Sequence, residues 1–523
     1  MSFGAADHAA QSRNARGESF TLDSTIALAT VAGIATFVFH AATSGSYGYQ
    51  RDELYFISCA RHLAWGYVDQ PPLIAAVAKA VLAIFGDSLL GLRLLPALAA
   101  AATVVVTGRV ARRLGGGLIA QGLAMLAIAL APFYLAIGNL LTMNAFEPLL
   151  WMSAAYLFMQ AESDDRPIRW LALGVVVGLG FLNKYSMFFY MGSACLAIAF
   201  TAHRRAFTRP GFWFAVAVAA LLVGPNLIWQ SAHGWPQLEV LRNAAAAKNV
   251  AVDPATFYLQ QILMMSPLTA PLWLAGLWFL LFSPGGAKLR WFGLPYVILS
   301  LVYLALQAKV YYLAPIYPVL IAAGSVVIER ALQPRRWLAV TYACLLLVAG
   351  LAIAPEAFPL LPLKTFVAYQ AIFDVRGIKM ERHPQGLVPQ QFADQLGWDT
   401  LVESMSSAYR ALPPEQRAQA AFLTYNYGQA SALDFFGPKL GLPPALSGHN
   451  NYFLYGTRGA SGNVVLAIGL DPKFLRTQWK SVVQVAKYHD DYVLPDENDL
   501  PIYLCTQPTG DFSAWWPRTK RYI

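Results

Sequence analysis

The sequence predicts a polytopic α-helical membrane protein with about eleven transmembrane helices, followed by a C-terminal extracytoplasmic α/β domain. Its 523 residues are 57% hydrophobic and only 13% charged, with a mean hydropathy of +0.45. A soluble globule of this size would need more charged residues to cover its surface. Many apolar runs reach the roughly 18 residues that a helix needs to cross a bilayer. After about residue 355 the composition changes to short apolar segments separated by turn residues.

Apolar runs give the positions of the predicted helices. We place them at about 24–43, 89–109, 117–137, 140–160, 168–183, 185–202, 211–231, 260–282, 291–307, 311–328 and 337–354. This divides the chain into a cytoplasmic tail (1–23), a transmembrane domain (24–355) with a long loop at 44–88, and an extracytoplasmic domain (356–523). The first twenty residues are polar, so we expect no cleaved secretion signal, and the first helix itself would direct insertion.

Basic residues indicate the orientation of these helices. If the N-terminus is cytoplasmic, every inside connection carries arginine or lysine: Arg109, Arg112, Arg113, Arg166, Arg169, Arg204, Arg205, Arg209, Lys288, Arg290, Arg330, Arg335 and Arg336. Such a bias favours a multi-pass protein of the inner (plasma) membrane whose C-terminal domain lies outside the cytoplasm. It also accounts for the net charge of +9, so we predict no nucleic-acid partner.

Two further patterns complete this outline. The four cysteines show no metal, redox or disulfide spacing. In the C-terminal domain, the segments 418–428, 462–471 and 481–494 have the composition of short strands bounded by Gly, Pro, Asn and Asp.

Carboxylates concentrate in the loop that follows the first helix. Asp52 and Glu53 come directly after Arg51, and Asp69 precedes the pair Pro71 and Pro72. Two prolines predict a rigid turn that leads into an amphipathic helical segment at 73–86. Acids in a loop are often simply solvated. This loop, however, is rich in aromatic residues, which favours a segment at the level of the lipid headgroups: Tyr47, Tyr49, Tyr55, Phe56, Trp65 and Tyr67.

These motifs resemble a known family. An acidic pair in the first outer loop, followed by an aromatic residue, an acid and ProProLeu, is similar to the GT-C membrane glycosyltransferases of family 39, which include protein O-mannosyltransferases and bacterial aminoarabinose transferases. Weaker similarities are the basic turn after the second helix, LLTMNAFEPLLW at 140–151, the LNKYSMFF segment ending at Phe189, and AKVYYLAPIYP at 308–318.

The resemblance implies an inverting glycosyltransferase. Such enzymes transfer a sugar from a polyprenyl-phosphate carrier to an acceptor at the outer face of the membrane. Asp52 would then be the general base. We expect Glu53, also in the catalytic set, and Asp69 to be supporting acids that orient substrate or metal, with Asp69 and Tyr55 at the substrate. A carboxylate within hydrogen-bond reach of an acceptor hydroxyl has the right chemistry for this role. Paired carboxylates also bind divalent metals, so Asp52 and Asp69 are the candidate ligands if a metal takes part, which the sequence leaves open.

The lipid phosphate that leaves needs cations or hydrogen-bond donors. Basic residues predicted at the outer surface are Arg51, Arg61, Lys184, Arg242, Lys248 and Lys309. We expect Arg242 and Lys309 to be the first phosphate ligands. Lys309 has the better support, because Lys309 and Tyr312 belong to a segment that resembles the family. The alternative for each lysine is snorkelling to the interface.

The sequence departs from the family at two positions. Gln70 replaces a lysine that binds phosphate in the aminoarabinose transferases, and Asn144 stands where many members have an aspartate. Glu147 lies nearly one turn further on and is a candidate substrate ligand, although a polar residue in a membrane helix is often a packing contact. These departures argue against aminoarabinose transfer itself.

Other functions stay open at this level. A flippase for lipid-linked sugars or a small-molecule transporter is also compatible with eleven helices, but transporters usually concentrate ionisable groups near the bilayer midplane. Here the acids lie near one surface, and no internal repeat is visible. Neither the sugar nor the acceptor, whether lipid A, another glycan, a lipid or a protein, can be read from the sequence.

Overall fold

The computed structural model describes residues 4–247, 250, 252–373 and 381–523, with side chains from Asp23 onward. Up to residue 357 the described chain is almost entirely helical. Its α-helices are α1 (Gly4–Thr43), α2 (Arg51–Arg61), α3 (Leu73–Phe85), α4 (Leu89–Arg113), α5 (Leu118–Leu130), α6 (Pro132–Ile137), α7 (Met143–Ser163), α8 (Pro167–Asn183), α9 (Ser186–Ala199), α10 (Pro210–Ala232), α11 (Pro236–Ala247), α12 (Pro254–Met265), α13 (Ala270–Phe282), α14 (Arg290–Ala305), α15 (Tyr317–Leu332) and α16 (Arg336–Ala357). Short 3₁₀ segments link them at Ala202–Thr208, Pro267–Thr269, Pro284–Leu289, Val310–Ile316 and Gln333–Arg335.

The prediction of a polytopic helical protein is confirmed, and each of the eleven predicted segments falls on these helices. Within the described residues, five stretches are long and apolar enough to cross a membrane: Asp23–Thr43, Leu89–Arg113, Pro210–Ala232, Pro284–Ala305 and Val310–Ala357. Counting two bent helix pairs as single spans raises the number to seven. The count of eleven therefore stays a prediction.

Glycine allows two of these helices to touch through their backbones. A Cβ atom on Gly276 of α13 would lie 2.0 Å from the carbonyl oxygen of Leu320, and one on Gly324 of α15 would lie 1.7 Å from that of Leu272. Small residues at such crossings replace side-chain packing with direct backbone contact. This contact fixes α15 and, with it, the Val310–Ile316 segment that precedes it.

The 44–88 segment folds into α2 and α3. Gln50 caps α2, because its side chain accepts a hydrogen bond from the Asp52 amide while the Glu53 side chain accepts one from the Gln50 amide. Helix α3 begins at Leu73, directly after the two prolines. Thus the acid-rich stretch is not an open loop but a helix with a fixed start.

The C-terminal part contains a five-stranded mixed sheet. Its elements are α17 (Leu363–Phe373), α18 (Gln390–Ala393), α19 (Trp398–Arg410), α20 (Pro414–Gln419), β1 (Ala420–Thr424), α21 (Tyr427–Phe436), β2 (Ala445–Ser447), α22 (Asn451–Leu454), β3 (Val464–Ile468), α23 (Pro472–Leu475), β4 (Trp479–Tyr488), β5 (Leu500–Pro508) and α24 (Phe512–Trp515). Short 3₁₀ segments lie at Gly437–Leu440, Pro495–Glu497 and Trp516–Thr519. The strand order is β2-β1-β3-β5-β4, with β1, β2 and β3 parallel and β5 antiparallel to both neighbours. The three strands predicted from sequence correspond to β1, β3 and β4.

The two faces of the sheet bury different cores. Leu423 and Val465 pack into a core of the C-terminal domain with Trp479. On the opposite face, Phe422 packs into a cluster that also contains Leu54 of α2. Burial of apolar surface is the main favourable term in such packing. The C-terminal domain is therefore docked on α2 through a shared core, which fixes the acids of α2 relative to the sheet.

Candidate active site

Two parallel strands direct the C-terminal domain toward α2. Strand β1 ends at Thr424 and leads to Tyr427, and the adjacent β2 ends at Ser447 and leads to Asn450. In open α/β sheets, the loops at the carboxyl ends of the strands form the binding crevice. Here those loops contact the beginning of α2 and the turn that carries Asp69.

Asp52 is the acid best placed to act on a ligand. Its side chain is half-buried, and its Oδ1 accepts a 2.7 Å hydrogen bond from the Tyr427 hydroxyl. Among the described residues, no hydrogen bond reaches Oδ2. The carboxylate lies in the first turn of α2, where the helix dipole favours negative charge. One oxygen is thus oriented by the C-terminal domain while the other is available.

Aromatic rings hold Tyr427 in place. It stacks on Tyr55 at a ring-centroid distance of 4.4 Å and on His449 at 4.8 Å. The Tyr427 amide also donates to Nδ1 of His449 at 3.2 Å. The hydroxyl that orients Asp52 is therefore fixed by residues from both parts of the protein.

Asp69 forms a second contact between the two parts. Its Oδ1 accepts from the Tyr55 hydroxyl at 2.7 Å, and its Oδ2 accepts from the Asn450 amide at 2.9 Å. Burial raises the pKa of Asp69 to about 6, although the hydrogen bonds from Tyr55 and Asn450 act in the opposite direction. Asp69 therefore titrates close to neutral pH.

The structure places Glu53, predicted as catalytic, in a buried ion pair. Its side chain is completely buried and ion-paired with Arg93, whose Nη2 lies 2.8 Å from Oε2. Further hydrogen bonds come from Arg93 Nε and from the amides of Gln50 and Leu141, each at 2.9 Å. Both oxygens are occupied, so Glu53 joins α2 to α4 and to the start of α7 rather than facing a substrate.

Arg51 connects α2 to the C-terminal domain by charge. It forms ion pairs with Asp394 and, at 2.8 Å, with Glu497. Burial raises the pKa of Asp394 to about 6, against the opposing effect of Arg51. The negative charge of Asp52, the neighbour of Arg51 in the chain, also raises the pKa of Asp394.

Four predicted substrate ligands converge at a second cluster. Lys184, which follows α8, donates to Asn144 Oδ1 at 2.7 Å and to Glu147 Oε2 at 3.0 Å. Its ammonium also lies 4.5 Å from the ring centroid of Tyr312. These residues come from three segments of the membrane domain, and the charges of Lys184 and Glu147 are paired as burial requires.

Lys309 also lies beside this aromatic segment, at Tyr311, the neighbour of Tyr312. Its Nζ lies 2.5 Å from Glu381 Oε1 and 5.9 Å from the ring centroid of Tyr311, while Lys184 lies 5.4 Å from that ring. Two lysines therefore lie beside one aromatic segment.

Two other predicted ligands occupy different positions. Gln70 is only 1% exposed, and its amide contacts Cys59, so it packs the turn instead of facing an open cavity. Arg242 is exposed on α11 and pairs with no acid in the described part of the chain. Lys248 lies outside the described residues.

The metal prediction has no further support from geometry. Within the described residues, no group of three or more His, Cys, Asp and Glu side chains is arranged to hold a metal ion. Asp52 and Asp69 each accept hydrogen bonds from neutral donors. Metal dependence stays an open prediction for these two carboxylates.

Sequence reasoning missed the partners that the C-terminal domain supplies. Tyr427 and Asn450 orient the two acids, and both lie in segments rich in Asn, Gly and aromatic residues, at 425–437 and 446–456. That composition indicates tight turns as readily as a site. Only the parallel pairing of β1 and β2 shows that both turns lie at the same edge of the sheet, where the two strands end.

Comparisons with known proteins bear on the family and the fold. Residues 69–229 match the family model described as dolichyl-phosphate-mannose-protein mannosyltransferase. The crystal structure of ArnT from Cupriavidus metallidurans bound to undecaprenyl phosphate superposes with a TM-score of 0.57 at 16% identity, covering 92% of this chain and 97% of ArnT. The chain has a GT-C glycosyltransferase fold. The resemblance to family 39 is thereby confirmed.

Two further GT-C relatives extend the comparison. Lipid A galacturonosyltransferase RgtD from Rhizobium johnstonii is 29% identical over 189 residues, which are 35% of this chain and 38% of that protein. The match thus spans less than half of this curated relative. Archaeal oligosaccharyltransferase AglB from Archaeoglobus fulgidus, in complex with an inhibitory peptide and a dolichol-phosphate, has a TM-score of 0.50 at 13% identity, with 80% of this chain and 64% of AglB covered. RgtD is a galacturonosyltransferase and AglB is an oligosaccharyltransferase, so both transfer sugars.

Proposed function

We propose that this protein is an inverting glycosyltransferase that moves a sugar from a polyprenyl-phosphate donor to a cell-envelope acceptor at the outer face of the inner membrane. The observation that carries the proposal is the half-buried Asp52, whose one oxygen is oriented by Tyr427 while no hydrogen bond of the described residues reaches the other. Lys184 and Lys309 lie beside Tyr311 in the membrane domain. The bound lipid phosphate of ArnT supports the class of donor.

The proposed reaction follows from these positions. The acceptor hydroxyl loses its proton to Asp52 Oδ2 as its oxygen bonds to the anomeric carbon of the sugar. The bond from that carbon to the phosphate oxygen breaks, and polyprenyl phosphate leaves with the bonding electrons. Attack from the face opposite the leaving group inverts the anomeric centre.

Lys184 and Lys309 are the proposed phosphate ligands. Both are mostly buried, and both now pair with carboxylates, Glu147 and Glu381. A lipid phosphate that approaches Tyr311 and Tyr312 would share these ammonium groups with the carboxylates. Charge-assisted hydrogen bonds of this kind are about twice as strong as neutral ones, which suits them to hold the charge of the leaving group. They would also supply the positive charge that a lysine provides in the aminoarabinose transferases and that Gln70 cannot provide.

The acceptor is proposed to enter between α2 and the C-terminal domain. Tyr427 and Asn450 come from the loops that close this side, and each contacts an acid of the 44–88 segment. RgtD by its name acts on lipid A, which makes a lipid A-type glycolipid the first acceptor to test.

The test compares envelope lipids from cells that lack the protein with those from cells complemented with wild type, Asp52→Asn or Asp491→Asn. Asp491 is a matched control because its side chain is 72% exposed in the C-terminal domain. Mass spectrometry should show a sugar-bearing species that wild type and Asp491→Asn restore and that Asp52→Asn does not. Full restoration by Asp52→Asn at equal protein levels would overturn the assignment of the base.

A further inference from the structure

A short segment at 519–523 runs beside the loop that follows β2. The Arg521 amide donates to the Gly448 carbonyl oxygen at 2.8 Å, and the Asn450 amide donates to that of Arg521 at 3.0 Å. A Cβ atom on Gly448 would lie 1.8 Å from the carbonyl oxygen of Thr519, so only glycine allows the two backbones to come this close. The segment is therefore joined by backbone hydrogen bonds to the turn that carries Asn450.

Ile523 fixes the orientation of the Asn450 side chain. Its amide donates to Asn450 Oδ1 at 2.9 Å, and its backbone oxygen accepts from Asn450 Nδ2 at 3.0 Å. A backbone amide can only donate, so it holds the side-chain oxygen of Asn450 on its own side and turns the nitrogen toward Asp69. That nitrogen donates to Asp69 Oδ2 at 2.9 Å. The opposite orientation of the Asn450 amide would place an oxygen against the carboxylate and leave the Ile523 amide without its acceptor.

The same backbone oxygen of Ile523 fixes the His449 ring. It lies 3.3 Å from His449 Nε2, whereas Nδ1 of the ring accepts from the Tyr427 amide at 3.2 Å. In a neutral imidazole one nitrogen donates and the other accepts, so these two contacts fix both the tautomer and the direction of the ring. His449 stacks on Tyr427, whose hydroxyl orients Asp52. Ile523 thus contacts the side chains that support both acids.

Helix α11 of the membrane domain also contacts this segment. Asn243 Nδ2 donates to the backbone oxygen of Tyr522 at 2.6 Å. The Tyr522 side chain packs with Val240 of α11 and with Val68 in a small buried cluster. The segment therefore touches both α11 and the loop after β2, so its position depends on a helix of the membrane domain as well as on the C-terminal domain.

We propose that Ile523 and Asn243 are positioning residues for sugar transfer, a role that rests on the proposed function. Asn243 holds the 519–523 segment on α11, and Ile523 sets the two side chains that support the acids. Neither residue touches the acids or the reacting atoms. The link between α11 and the acids is made mainly by backbone groups, which no side-chain pattern in the sequence reveals.

Steady-state kinetics of the purified full-length protein with the identified donor tests this role. Ile523→Pro removes the amide that donates to Asn450, whereas Ile523→Ala removes only the side chain and keeps that amide. We expect kcat to fall about tenfold in Ile523→Pro with little change in KM, because displaced acids affect the transition state more than substrate binding. Ile523→Ala should lower kcat by less than about twofold. Equal losses in the two variants, or a rise in KM in place of the fall in kcat, would overturn the proposal.

Asn243→Ala tests the contact from α11, and it decides if Ile523→Pro does not fold. It should lower kcat about fivefold, and Asn243→Gln, which keeps an amide donor, should recover most of that loss. Asn463→Ala is the matched control, since Asn463 is exposed just before β3 and donates to Gln419 Oε1 at 3.1 Å, at the opposite end of the sheet from the site. Wild-type kcat in Asn243→Ala, or the same loss in Asn463→Ala, would contradict the role.

Hydrogen exchange measures the positioning without turnover. Loss of the contact between Ile523 and His449 should let the Tyr427 amide exchange roughly threefold faster in Ile523→Pro and Asn243→Ala, while the amides of β3 exchange as in wild type. Mass spectrometry of peptides that include Tyr427 gives these rates, and wild-type exchange at Tyr427 in both variants would refute the proposal. If the wild-type protein transfers no sugar, the proposed function fails, and the exchange rates alone decide whether the segment fixes Tyr427.

Discussion

The Tyr427 hydroxyl lies 2.7 Å from Asp52 Oδ1 and joins the loop after β1 to the first turn of α2. The candidate base is therefore oriented by a residue that comes 375 positions later in the chain. Because Tyr427 is itself fixed between Tyr55 and His449, the carboxylate has one preferred direction. Catalysis at Asp52 should accordingly depend on the docked C-terminal domain.

Removal of this hydrogen bond should slow the reaction without unfolding the protein. Tyr427→Phe keeps the stacked ring and deletes only the hydroxyl. We expect kcat to fall about tenfold with little change in KM, because a misplaced base affects the transition state more than the ground state. Steady-state kinetics with the identified donor checks this. Tyr425→Phe is the matched control, since Tyr425 is 48% exposed, and an equal effect of the two substitutions would contradict the orienting role.

The buried pair of Glu53 and Arg93 should be structural. Glu53→Gln leaves Arg93 with a buried, uncompensated charge, which costs about 3–5 kcal/mol in comparable pairs. Thermal unfolding in detergent should show a much lower midpoint than for Glu403→Gln, an exposed acid on α19. A Glu53→Gln protein of normal stability that has lost activity would instead support the catalytic role first predicted from the sequence.

The two lysines beside Tyr311 should bind the lipid phosphate. We expect Lys184→Gln and Lys309→Gln each to raise the KM for the donor about tenfold, since each removes a charge-assisted contact. Lys364→Gln, at an exposed position on α17, is the control. Steady-state kinetics with the donor measures this KM, and a binding titration with polyprenyl phosphate measures the affinity for the lipid phosphate. Arg242→Gln tests the remaining predicted cation. A large loss of affinity in Arg242→Gln alone would move the phosphate site to α11.

The buried acids should make the protein less stable as the pH rises. The pKa of Asp69 in the folded protein, about 6, lies above its ordinary value of 3.8, so the folded state holds this proton more tightly than the unfolded state. The resulting stabilisation is complete below about pH 4 and is lost as the pH rises through 6. Asp394 acts in the same direction and over the same window.

Comparison of two proteins isolates the contribution of Asp69. The unfolding midpoint of wild type should fall more steeply between about pH 4 and pH 7 than that of Asp69→Asn, because all other acids contribute equally to both curves. Parallel curves would show that Asp69 does not titrate in this window. An activity profile of the two proteins over the same range reports whether the ionised Asp69 is needed at the substrate.

The sequence by itself determined the membrane class, the positions of the helices and the acid-rich start of the site. Each depends on a local property: the length of an apolar run, the spacing of basic turns, or the pair of prolines before α3. It also indicated Lys184, Asn144 and Glu147, although their contact with one another could not be read from positions forty residues apart.

Tertiary structure decided the different surroundings of the two neighbouring acids. Asp52 and Glu53 are neighbours in the chain, yet successive helical residues point about 100° apart, so one faces the C-terminal domain and the other faces Arg93. The pairing of β1 with β2 brought Tyr427 and Asn450 to the same edge, over more than 370 residues of chain from the acids they contact. Long-range packing, which no local pattern encodes, therefore assigned the roles within the acidic stretch.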